Sequence, residues 1–223
     1  MPLTREKGLI PADMETLVEE YQQVRPLLVE LHRAIGKLPQ KAAIMACGKR
    51  LRMVARQNGK KTLVFEDEQD VEIFQDYLIY MYRPRGVSYV QQMLNRNRYP
   101  QQSAETELLK GMAKARFSVF WLKERLPSVG FVALDLLRRE EVFVLDLSLP
   151  QQDVAGLVLG LRTFPWRGVL MHTGASLPLG KVPLVGKSPP LIEQPRNVQE
   201  EQRFNEEAIF HWRQMRAARE WGT

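Results

Sequence analysis

Three groups of side chains in this sequence are of types that do chemistry. The first is His172-Thr173-Gly174-Ala175-Ser176, where a histidine four residues from a serine could act as base and nucleophile. The serine lacks the Gly-x-Ser-x-Gly elbow that would expose it and no third group orients the pair, so a strand end followed by a turn is the weightier reading. The second group is Asp135 and Asp146, expected on mixed faces of neighbouring strands. Paired carboxylates do acid-base work. Without a basic or metal partner, solvent-facing strand residues account for them better. A hydrolase centred on these residues therefore ranks last among the functions considered, and no catalytic residue is assigned. Cys47 is the single cysteine and His32, His172 and His211 are dispersed, which excludes an internal disulfide and a zinc site. No cofactor is expected.

The third group is a block of charge. Between Gly36 and Phe65 there are eight Lys or Arg and no acid, and the eleven residues Glu66 to Asp76 then hold six acids and no base. The spacing predicts a helix over 40–57 that ends at Asn58-Gly59, a helix-terminating signal. On that helix Ile44, Cys47, Leu51, Val54 and Ala55 share one side, with Lys41, Lys49, Arg52 and Arg56 opposite and Lys60 and Lys61 just beyond. Such a face is the footprint of phosphate contacts. A solvated helix face with cations favouring its C-terminal dipole explains it equally simply. The six cations Lys41, Lys49, Arg52, Arg56, Lys60 and Lys61 are the nucleic-acid-binding candidates. Tyr77, Tyr80, Tyr82, Tyr89 and Tyr99 interleave with Arg83, Arg85, Arg96 and Arg98, which suits either stacking on single strands or half-buried rings at helix ends.

Positioning these groups falls to an α+β chain: a helical N-terminal half, an antiparallel β meander or small barrel, and a C-terminal docking helix. Over 13–35, Leu17, Tyr21, Val24, Leu28, Leu31 and Ile35 recur at alternating steps of four and three, a helical seam interrupted by Pro26, where a kink or break is expected. Acids open a third helix near Glu66, Ser88 with Gln91 forms a capping box, and Ser103 caps the helix leading into the β region. Phe117 to Leu122, Phe131 to Leu137 and Val142 to Leu149 read as strands, and about two more follow Pro150-Gln-Gln-Asp153. Five prolines between Leu177 and Pro195 mark an extended linker or surface-hugging arm. Phe204, Ala208, Trp212 and Met215, widened by Ile209, Phe210 and Trp221, form the stripe of a last helix that must dock. The expected divisions are a helical region over 1–115, a β region over 116–176, an arm over 177–196 and a helix over 197–223.

Arg116-Phe-Ser-Val-Phe, Val129-Gly-Phe-Val-Ala-Leu-Asp-Leu-Leu and the Glu140 to Leu149 run resemble a small β module of uncharacterised bacterial proteins, some of which carry a SEC-C zinc motif. The likeness covers about a sixth of the chain. The cysteine- and histidine-rich SEC-C tail is missing here, so the resemblance implies a fold and a bacterial source but neither metal nor activity.

The chain's 223 residues suffice for a core in one domain or two unequal ones, and its 26% charge and 44% apolar content belong to a soluble globular protein. No apolar run reaches membrane-spanning length, and the N-terminus lacks the apolar stretch of a signal peptide, so a cytosolic protein with no membrane partner is expected. Net charge is +6. The leading expectation is a non-enzymatic binding protein whose target is nucleic acid. The alternative is an interaction or assembly factor, pairing with a protein partner or a second copy through the first helix and the last.

Overall fold

The structure, a computed structural model, describes residues 9–148, 154–185 and 189–220. Its helices are α1 (Met14–Gly36), α2 (Lys41–Arg50), α3 (Glu68–Asp76), α4 (Tyr89–Asn95), α5 (Ala104–Met112) and α6 (Val198–Glu220). A hairpin, β1 (Val54–Gln57) and β2 (Lys60–Leu63), follows α2. The remaining strands are β3 (Arg116–Leu126), β4 (Gly130–Asp135), β5 (Glu140–Leu145), β6 (Leu157–Trp166) and β7 (Val169–Lys181). The chain is thus α+β, as its patterning predicts.

The α1 stripe Leu17, Tyr21, Leu28, Leu31 and Ile35 is buried in the shared core. The helix continues through Pro26, so of the kink or break expected there the break does not occur. Both Pro26 and Gln22, whose carbonyl loses its helical partner, lie on the exposed side, where water satisfies it. Asp67 caps α3 by accepting from the Asp70 amide at 2.9 Å, and Ser88 and Ser103 cap α4 and α5 in the same way. Beyond α3, Tyr77–Met81 forms a π turn in which the Tyr82 amide donates to the Tyr77 carbonyl.

Strands β3 to β7 close into a barrel in the order β3-β4-β5-β7-β6, with β6 returning to β3. One joint departs from the expected antiparallel sheet: β5 and β7 are parallel at Val144–Leu170 and Leu145–Met171. The chain after Leu145 leaves the sheet and re-enters at Leu157 before the β6–β7 hairpin, so β7 meets β5 in the same sense. Phe120, Leu122, Phe131, Ala133, Val144, Leu159 and Leu161 fill the interior, and Val154 of the connection plugs it. The expected turn at 150–153 and the apolar contribution of Trp221 lie outside the described residues. Strand β7 continues to Lys181, beyond residue 176, where the β region is expected to give way to the arm, because its pairing with β6 shifts register and accommodates Pro178 opposite Leu159.

Helices α3 and α6 cover β7 and α5 covers β6. The proline-rich segment hugs the surface: the Trp121 indole donates to the Val182 carbonyl at 3.1 Å and the Ile192 amide to the Leu136 carbonyl at 2.9 Å. Tyr77, Tyr80 and Tyr89 are buried, which removes them as stacking platforms.

His32 of α1 sits against Tyr80, with Nε2 2.8 Å from the hydroxyl. Burial lowers its pKa to about 4, with Asp76 opposing and Arg25 reinforcing the shift. The unfolded chain binds this proton below about 6.5. Stability is therefore full above that pH and falls as pH drops toward 4, by at most about 3 kcal/mol. Chemical denaturation between pH 7 and 4 will show this slope. His32→Gln, which keeps a hydrogen-bonding group and cannot titrate, will flatten it.

Candidate nucleic-acid interface

Helix α2 is shorter than the expected 40–57. It stops at Arg50 because the Arg52 amide donates to the Lys49 carbonyl and the Met53 amide to the Gly48 carbonyl, a Schellman closure with Arg52 at φ 57°. Asn58-Gly59, with φ 51° and 76°, is then the two-residue turn of the β1–β2 hairpin rather than a helix end. Arg52 and Arg56 accordingly leave the helix. Arg52 lies in the turn with its guanidinium 3.8 Å above the Phe210 ring of α6. Arg56 lies on β1, directly opposite Lys61 of β2.

The hairpin carrying Arg56, Lys60 and Lys61 packs against the end of α2 that holds Lys49, while Lys41 opens the helix. Gly48 lets the hairpin approach α2: a Cβ there would stand 2.2 Å from Leu63 Cδ2 and 3.1 Å from Val54 Cγ2. Val54 and Leu63 are cross-strand partners, and alternation puts Arg56 and Lys61 on the same face toward the tip. Lys60 pairs with Gln57 on the other face. Lys41, Lys49, Arg52, Arg56, Lys60 and Lys61 are all exposed. Among the described residues, Lys41, Lys49, Arg56, Lys60 and Lys61 have no acid within ion-pair distance.

The acids that follow in sequence do not neutralise them. Arg213 of α6 reaches Glu66 at 2.9 Å and Asp70 at 3.3 Å, and Arg216 reaches Asp67 at 2.7 Å. Asp70 is fully buried beneath these guanidiniums and accepts from the Glu66 amide. Arg50 pairs with Glu206 of the same helix at 3.1 Å. Helix α6 therefore takes three of the six acids of the block, Glu66, Asp67 and Asp70, and Arg162 of β6 takes Asp76, so these four do not compensate the α2–hairpin cations. Two cations directly opposed across strands cost stability, a cost that an anionic partner would remove.

The other sequence candidates come apart. His172 is buried, its Nδ1 accepting from the Gly174 amide and its Nε2 lying 3.0 Å from Asp146 Oδ2. Nδ1 is thus taken by the Gly174 amide and Nε2 faces the Asp146 carboxylate, so neither is directed at Ser176. Ser176 lies four residues along the same strand, its carbonyl taken by Gln69, so no dyad forms. Burial works to raise the Asp146 pKa, but the His172 contact and the Ser148 amide and hydroxyl outweigh it and hold the carboxyl well below its usual range. Asp135, which accepts from the Ser118 hydroxyl and from the Leu137 and Arg138 amides, closes the β4–β5 turn. Asp146 follows the far end of β5, where its amide bonds the Val129 carbonyl, so the two carboxylates stand at opposite ends of the paired strands. Among the described residues no group of three or more His, Cys, Asp or Glu could hold a metal, and no helix is long and apolar enough to cross a membrane.

No curated protein and no solved structure matches the chain. A family model described as a family of unknown function, DUF7986, matches residues 15–181, from the start of α1 to the end of β7. A match over that much of the sequence makes this chain a member of the DUF7986 family.

Proposed function

We propose that this protein binds nucleic acid without catalysis, neutralising phosphates with Lys41, Lys49, Arg56, Lys60 and Lys61, while Arg52 pins the turn between α2 and the hairpin onto α6. The observation that supports the reading is the separation of charge: among the described residues five exposed cations stand without acid partners while α6 holds Glu66, Asp67 and Asp70. Renumbered within the barrel, the strand order is 1-2-3-5-4 closing on 1, with 3 and 5 parallel. That connectivity is shared with the OB-type barrel, an architecture that often takes oligonucleotides. The likeness is one of fold and does not by itself assign a role. The alternative is an interaction or assembly factor; most of the α1 seam and Ile209 and Trp212 of α6 are buried on this chain, while Phe204, Ala208, Phe210 and Met215 are only half-buried.

Fluorescence anisotropy with random-sequence DNA and RNA tests the proposal. Five phosphate contacts predict a log-log salt slope between about −3.5 for single strands and −4.5 for duplex, hence roughly a hundredfold or greater loss of affinity between 50 and 200 mM salt. Replacing Lys49, Arg56, Lys60 and Lys61 with Gln removes about 3 to 4 units of that slope. Binding absent at 50 mM, or indifferent to salt, would leave the hairpin lysines as guards against edge-to-edge strand pairing and sink the proposal.

A further inference from the structure

On another part of the molecule, one end of the barrel opens into a cleft of about 670 Å³. Its walls come from the start of β3, the β4–β5 turn, the ends of β6 and β7, the chain after α5, and the arm where it enters α6. That volume suits a small organic ligand. Five cations line it, Arg83, Lys114, Arg116, Arg138 and Arg196, against two carboxylates, Asp135 and Glu201. Asp135 takes the Ser118 hydroxyl and two backbone amides on Oδ1, and its Oδ2 lies 4.0 Å from Arg138 Nε. Arg138 and Arg196 are partly engaged, by Glu140 at 3.3 Å and Glu193 at 2.9 Å.

Arg83, Lys114 and Arg116 are different. Among the described residues none of them has an acid within ion-pair distance. The Nε of Arg83 is also buried without a hydrogen-bond acceptor. Three cations without carboxylate partners on the wall of one cleft make a place for an anion from outside the chain. Guanidinium forks match the oxygens of phosphate, and Leu137, Pro165 and Leu170 supply apolar wall for a carbon body.

We infer that this cleft binds an organic phosphomonoester, its phosphate held by Arg83, Lys114 and Arg116. The same group could arrive on a free mononucleotide or as the 5′-phosphate of an oligonucleotide. The inference stands apart from the α2–hairpin surface and does not depend on it.

Isothermal titration of the full chain with AMP, and with adenosine as the uncharged control, is the test. AMP is expected to bind and adenosine is not. Lys114→Gln and Arg116→Gln change exposed side chains, so they leave the fold intact, and each is expected to weaken AMP roughly tenfold. The Lys49, Arg56, Lys60 and Lys61 to Gln variant will bind AMP as the parent does, which separates this site from the nucleic-acid surface. A second arm compares oligonucleotides with and without a 5′-phosphate: a preference for the phosphorylated end that Arg116→Gln abolishes supports the same site with a nucleic-acid source. If neither AMP nor the phosphorylated end binds, or if both cleft variants leave binding unchanged, the inference is overturned.

Discussion

Asp76→Ala will destabilise the fold by about 3–5 kcal/mol, the cost of leaving a buried charge without its partner. The charge is Arg162, 1% exposed on β6 between the barrel and the helical layer. Its Nε lies 2.8 Å from Asp76 Oδ2 and its Nη2 donates to Asn205 Oδ1 at 2.8 Å, while the Tyr80 and Phe117 rings flank the guanidinium at 5.4 and 5.8 Å. Thr173 donates to the other Asp76 oxygen at 2.6 Å. One carboxylate at the end of α3 thus ties that helix to both β6 and β7, and α6 joins through Asn205. The remaining Arg162 nitrogen, Nη1, has no protein acceptor, so the guanidinium already lacks one partner before Asp76 is removed. Removing both charges behaves differently. Asp76→Leu combined with Arg162→Met should recover most of the loss, because an apolar pair of similar size dispenses with the desolvation that ion pairing has to offset. Urea denaturation decides it. A single variant within 1 kcal/mol of the parent, or a double variant worse than the single, would show that the pair does not hold the layers together.

Arg162 also shows what the sequence made legible and what it hid. A lone arginine within Leu157-Val-Leu-Gly-Leu-Arg-Thr-Phe-Pro-Trp166 is a readable signal, since a charge inside an apolar strand must find a buried partner. Which partner it finds is set by α3 packing on β7, and no local pattern encodes that. The same division holds elsewhere. Periodicity placed α1, the capped helices and the strands, because each is fixed by contacts within a few residues. It extended α2 too far: Leu51, Val54 and Ala55 continue a helical wheel as well as they begin a strand, and Asn58-Gly59 serves a helix end as readily as a hairpin. Only the alternation of Val54-Ala55-Arg56-Gln57 against Lys60-Lys61-Thr62-Leu63 could have decided between them. The sign-blocked charges were visible. That the acids would be claimed by Arg213 and Arg216, nearly 150 positions away, was not. The phosphate cleft was hidden for the same reason, being assembled from Arg83, Lys114 and Arg116 on segments that meet only when the barrel closes.

Helix α6 joins stability to the proposed function, and Trp212→Ala tests both at once. Trp212 is 1% exposed, packed with Ile209 in the main core and capped by Arg216, whose guanidinium lies 4.7 Å above its ring. Truncating it should cost about 3–5 kcal/mol. Trp212→Phe, which keeps most of the buried volume, should cost clearly less. The same helix carries Arg213 and Arg216 over Glu66, Asp67 and Asp70, and Glu206 onto Arg50 and Tyr77. If α6 loosens, three carboxylates lose their guanidinium partners within a few residues of the hairpin's last strand. They would then compete with nucleic acid for Lys60 and Lys61, so affinity measured at fixed low salt should fall alongside stability, under conditions where the variant is still folded. Arg213→Gln with Arg216→Gln separates the two effects, since it uncovers the acids while leaving the apolar contact of Trp212 in place. A loss of affinity in that variant comparable to Trp212→Ala assigns the effect to charge. Unchanged affinity would mean that the hairpin cations attract phosphate without help from α6, and the docking of this helix would then serve the fold alone.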